Sequence, residues 1–178
     1  MSEALTSTAG GPAEHGNWKG VWEILKFHED ENDPAILDGT AVPYEVVTVE
    51  NVVLLVGWNE LIRILVGASA NTFTQPNTQI GIGDSSTAAA NTQTDLQAST
   101  NKFYQVLDAS GGLVVGANGG TTNTLIVQTT IGTSNANFSW QELVIKQSVS
   151  GICLNRAVAN MGTKSSGTWI AKCTITLT

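Results

Sequence analysis

The chain has 178 residues and a net charge of −7, with 42% hydrophobic but only 13% charged residues. That length buries a core without covalent staples, and an acidic chain without a basic patch excludes direct binding to DNA or RNA through phosphates. Cys153 and Cys173 have no zinc spacing and the first residues carry no basic, apolar leader. Both thiols therefore read as free and buried, in a chain made in a reducing host cytoplasm. Thr, Ser, Asn, Gln and Gly replace the missing charges. That composition suits strands with hydroxyl-rich outer faces, and surfaces that pack against other protein copies where each desolvated charge would be costly. The charge is uneven: residues 1–60 hold eleven acidic and two basic residues, and residues 61–178 hold four acidic and six basic ones.

In chain order, residues 1–17 are small, polar and interrupted by Gly10, Gly11, Pro12 and Gly16, which reads as an extended N-terminal arm. Residues 18–178 read as one β-rich domain. Residues 20–28 alternate, with Trp22, Ile24 and Lys26 on one face and Val21, Glu23, Leu25 and Phe27 on the other. The run Glu29 to Pro34 is an acidic loop, and residues 42–50 form a second strand. The segment from about Val53 to Val66 reads as the one main helix, ended by Gly67. Asn59, Glu60 and Arg63 gather on one of its faces; Leu54, Leu55, Trp58, Leu61, Ile62 and Leu65 cover the rest. A helix so apolar must lie against a sheet or a neighbouring subunit. It is too short and too charged to span a membrane.

From residue 68 the pattern is β. Strands are expected over 78–83, 102–107, 113–115, 124–130, 140–148, 152–158 and 169–177, separated by turn signals such as Gly111-Gly112, Asn118-Gly119-Gly120 and Ser165-Ser166-Gly167. The last is the clearest, with Trp169, Ala171, Cys173, Ile175 and Leu177 on one face. The polar stretch 85–100 has room for a helical turn at Thr94–Ala98. No internal repeat is present. Many short strands at this spacing predict a mainly β fold, an antiparallel β-sandwich or jelly-roll-like domain.

The motifs give little chemistry. Ile80-Gly81-Ile82-Gly83-Asp84-Ser85 resembles the start of a phosphate loop but lacks its third Gly and its Lys, and reads as a strand ending in a turn with Asp84 bonding local backbone. Asp84, Asp95 and Asp108 fit no calcium-loop spacing. His15 lies in the arm and His28 at a strand end, and there is no nucleophile elbow. Asn137-Phe138-Ser139 is a glycosylation sequon without a secretory context. A glycan hydrolase needs paired carboxylates, and Asp84, Asp95, Asp108 and Glu142 are the only acids in the β region. No catalytic residue, metal ligand or cofactor site is expected. Trp140 and Trp169 read as core, and Trp18 as an anchor at a subunit contact, where tryptophan is enriched.

Several segments in order carry a resemblance: Asn59-Glu60-Leu61-Ile62, then Asn77 through Ser85, then Thr92-Gln93-Thr94-Asp95-Leu96-Gln97. It continues at Ala136 through Glu142, Leu154-Asn155-Arg156-Ala157-Val158 and Gly162 through Trp169. Together these resemble a family of tailed-bacteriophage virion structural proteins, over roughly residues 22–177. The resemblance implies a non-enzymatic component of the particle and brings no catalytic residues. A compact domain with an arm, and without a coiled or repeated shaft, favours a capsid decoration (cement) protein on the outer surface of the major capsid protein lattice. A tail, baseplate or receptor-binding tail protein is the alternative. The expected partners are the major capsid protein and copies of the chain itself, a homotrimer first, with no nucleic acid and no membrane.

Overall fold

The computed structural model describes residues 18–116 and 123–177. The fold is mainly β, as the alternation predicts. Among the described residues nine antiparallel strands are present: β1 (Trp18–Lys26), β2 (Glu45–Val53), β3 (Thr78–Gly83), β4 (Lys102–Val106), β5 (Leu113–Val115), β6 (Thr124–Ile131), β7 (Glu142–Gln147), β8 (Cys153–Val158) and β9 (Trp169–Leu177). One principal helix, α2 (Leu55–Leu65), follows β2, and a four-residue helix, α1 (Pro34–Leu37), lies in the acidic loop. The sequence pattern did not signal α1; Asp33 accepts a hydrogen bond from the Ala35 N–H at 2.8 Å and Pro34 opens the first turn. The arm at 1–17 and the turn signal at Asn118-Gly119-Gly120 lie outside the described residues.

The strand order is β4-β3-β7-β8-β2-β1-β9-β6-β5, one sheet curled into two layers. β2 turns the corner: Glu45 to Glu50 pair with β1, and Asn51 to Val53 pair with β8. This accounts for two shifts from expectation. The strand runs 45–53 instead of 42–50, because its last three residues are held by the second layer, and the helix therefore starts at Leu55 rather than Val53.

Between the layers sits the main core, with Trp22, Ile24, Val127, Ile131, Trp169 and Cys173 from one side and Ile80, Ile82, Leu143 and Ile145 from the other. Trp140 and Trp169 meet edge to face, 4.8 Å apart. The outer face of β3, β7 and β8 is also covered. Leu96, Val144, Cys153 and Leu54 form a second small core there, beneath α2 and the strap of residues 84–101.

The strap is not helical at 94–98, contrary to the expected helical turn. Its amides point at acceptors elsewhere: Gln97 N–H and Ala98 N–H donate to the Glu142 carboxylate at 2.8 and 2.6 Å, and Leu96 N–H donates to Asp95. Glu142 also takes the Arg156 guanidinium at 2.7 Å, and both side chains are wholly buried. Arg156 completes its donor set on Gln93 Oε1 and the Thr87 carbonyl, each 2.9 Å away. A buried pair survives desolvation only with its remaining donors and acceptors satisfied, and here the strap supplies them.

Helix α2 lies directly on β8. A Cβ added at Gly57 would come within 2.5 Å of the Leu154 Cα and 2.6 Å of the Cys153 and Leu154 carbonyl oxygens. Neither partner can yield, since all three are backbone atoms. Gly57→Ala should lower the unfolding free energy by about 1–3 kcal/mol or more through overpacking. Urea titration checks this; an unchanged midpoint would show that the helix is not seated on β8.

Candidate interaction surface

The seat at Gly57 fixes which way α2 faces. Gly57 and Glu60 are buried, and Glu60 is anchored by the Ser69 hydroxyl and by Arg63 Nε at 3.5 Å. Val56 and Leu61 pack partly on the cores, and four apolar side chains are left outside: Leu55 is 53% exposed, Trp58 47%, Ile62 48% and Leu65 84%, with Val66 beyond the helix end also exposed. The sequence suggested a charged face bearing Asn59, Glu60 and Arg63. Instead Glu60 is the inward residue, because Ser69 and Arg63 satisfy its carboxylate below the helix.

Trp18 stands beside this helix. Its ring meets Trp58 edge-on at 5.8 Å. It also lines an open apolar cavity of about 460 Å³, together with Leu61, Phe73, Leu125, Leu154 and Leu177. The strand register explains this meeting. Trp18 pairs with Leu177, and Thr124 at the start of β6 pairs with Thr176, so these residues share one end of the sandwich. Leu177 and Val115 add further exposed apolar surface there.

The opposite end is acidic. β1 closes at Lys26, and Glu29, Asp30, Glu31, Asp33, Asp38 and Glu45 follow within the next turn, loop and strand start. A second concavity at that end, about 740 Å³, is lined by Glu31, Ile36, Asp38, Asp108 and Lys172 among others. The eight steps of a nine-residue strand, at about 3.3 Å each, set the two ends roughly 26 Å apart.

The other candidate residues are dispersed. Asp84 accepts the Asn101 amide at 2.7 Å, not its local backbone. Asp108 accepts from Thr130 N–H at 2.8 Å and from the Gln128 amide at 3.2 Å. Asp95 holds Lys146 at 2.5 Å and the Tyr104 hydroxyl at 2.8 Å. Burial raises the Asp95 carboxyl, but the bonds from Lys146, Tyr104 and Leu96 N–H outweigh it and hold the group below its usual value. A depressed carboxylate adds stability above its unfolded pKa and loses it as pH falls through the folded one. Glu142 is spent on Arg156 and the strap, so these four acids form no cleft pair. Among the described residues no group of three His, Cys, Asp or Glu could hold a metal ion. His28 is exposed and stacks on Tyr44 at 4.2 Å; His15 lies outside the described residues. Gly81 and Gly83 sit inside β3 beneath the Tyr104 and Glu142 side chains, leaving no room for a phosphate.

Cys153 and Cys173 are buried free thiols. Burial, then the Asp95 charge, pushes the Cys153 thiol up; burial, against the hydrogen bond from the Asn155 amide, pushes Cys173 up to about 12. Neither is a nucleophile at neutral pH, because only the thiolate attacks. Among the described residues no helix is long and apolar enough to cross a membrane. Both thiols should resist a maleimide in the native protein and react at the rate of unfolding when denaturant is added. Labelling within seconds in buffer would mean that the strand carrying the thiol, β8 for Cys153 or β9 for Cys173, opens locally.

The chain matches no family model, no curated protein and no solved structure.

Proposed function

We propose that the protein is a non-enzymatic structural subunit of a tailed-phage particle, most simply a capsid decoration protein that stabilises the head from outside. The observation that carries this reading is the segregation of surface character: one end of the sandwich is apolar, with Trp18, Val115, Leu177 and the open cavity, and the other is acidic. Exposed apolar surface on this scale marks a protein contact. A subunit attached by its apolar end points its acidic end at solvent, where like charge keeps particles apart. The ordered segments that resemble phage virion proteins supply the setting, and the major capsid protein lattice is the partner they favour. Every acid of the β region in a hydrogen-bonding structural role supports a non-enzymatic reading. Trp18, at the edge of the cavity beside Trp58, is the anchor in this account.

The test is co-sedimentation of the purified chain with particles that lack it, with heads and tails separated. Saturable binding to heads is expected. Trp18→Ala should weaken it by about 10–100-fold, the scale of an interface hot spot, while the melting curve remains cooperative. Binding confined to tails would favour a tail or baseplate role, and binding to neither would overturn the proposal.

A further inference from the structure

We infer that the outward face of α2 pairs with the same face of a second copy of this chain, the two helices running antiparallel about a two-fold axis. The exposed residues Leu55, Trp58, Ile62 and Leu65 are spaced three, four and three apart. That is the a/d spacing of a helix–helix seam. The opposite side of the helix, at Gly57 and Glu60, is already seated on the domain. The seam is therefore a helix-pairing surface turned to solvent, not a core face that has slipped outward.

Several features single out a second copy as the occupant. The seam is self-complementary in the antiparallel sense. A two-fold axis at the level of residue 60 sets Leu55 opposite Leu65 of the second copy, and Trp58 opposite its Ile62, large against β-branched. The area is also near what a dimer needs. The seam with Val66 leaves five large apolar side chains between 47% and 84% exposed, and two such faces with their flanks approach the lower range of specific interfaces, about 1,200 Å² in total. Charge does not oppose the contact. Arg63 is the exposed charge on the helix, already bonded to Glu60 and the Ala68 carbonyl. The antiparallel arrangement keeps the two Arg63 positions six residues, about 9 Å, apart along the axis. The acidic cluster lies at the far end of the sandwich, beyond the Debye length of about 8 Å at physiological salt.

This inference goes beyond attachment to a particle and is tested without one. Sedimentation equilibrium of the full chain, over a series reaching about 0.1 mM, should give twice the 18.7 kDa chain mass. Ile62→Glu should weaken association by at least about 100-fold, because pairing would bury an uncompensated charge, and Trp58→Glu should do the same. Ile62 is half-exposed in the single chain, so Ile62→Glu should keep the parent's circular dichroism and melting; Trp58→Glu also loses the Trp18 ring contact and should keep the parent's circular dichroism and a cooperative melt. Leu37→Glu, at a still more exposed residue at the acidic end, should leave the dimer intact. A double variant, Leu55→Cys with Leu65→Cys, should cross-link between chains on mild oxidation. A parent chain that stays monomeric throughout the series would overturn the inference, as would an oligomer that survives both glutamate variants. Failure of particle binding with the dimer intact would count against the decoration reading alone.

Discussion

The close approach of α2 to β8 at Gly57 is the constraint on which the surface of this protein depends. A helix can sit that near a strand only where no side chain intervenes, and Gly57 is the residue that meets backbone. Once it is seated, the rotation of the helix is fixed. Glu60, one turn on, is carried inward and must be neutralised, and Ser69 and Arg63 do so. Leu55, Trp58, Ile62 and Leu65 are carried outward. Leu61 still packs on the main core, but Leu55 and Leu65 are held in solvent at a cost in apolar exposure.

A second constraint holds the layer on which α2 rests. The Glu142–Arg156 pair is dry, and its partners come from the strap at residues 84–101. Breaking one partner of such a pair typically costs several kcal/mol, since the other is left charged and buried. The strap is thus part of the second layer rather than a loose surface loop. It also completes the helix: the Leu55 N–H, one of the unpaired amides at the start of α2, donates to the Asn91 carbonyl at 2.8 Å. The helix, the strap and β8 form one block.

Much of this was legible in the sequence. The alternation in residues 169–177 gives β9 to the residue, because period two with one buried face leaves no other register; residues 78–83 and 113–115 match β3 and β5 because turn signals bound them. Burial of Trp169 and Cys173 follows from the same alternation, and burial of Trp140 and Cys153 from residue type. The apolar run and Gly67 mark α2 as a helix, but its rotation was illegible. Hydrophobic periodicity assigns leucines inward, and only a three-dimensional contact at Gly57 reverses that. The strap was misread for a related reason: the carboxylate that bonds its amides is Glu142, some forty-five residues away. Trp18 was singled out as an anchor from its residue type; its place beside Trp58 and the apolar cavity comes from the pairing of β1 with β9.

The central claim is that the apolar end of the sandwich is covered in the assembled state and the acidic end is not. Hydroxyl-radical footprinting of the chain, dilute and then bound on particles, reads this residue by residue. The account predicts that Trp58 and Leu65 lose reactivity on assembly while Leu37 and Val42, exposed at the acidic end, keep theirs. Trp58 and Leu65 remaining as reactive on the particle as in dilute solution would contradict it.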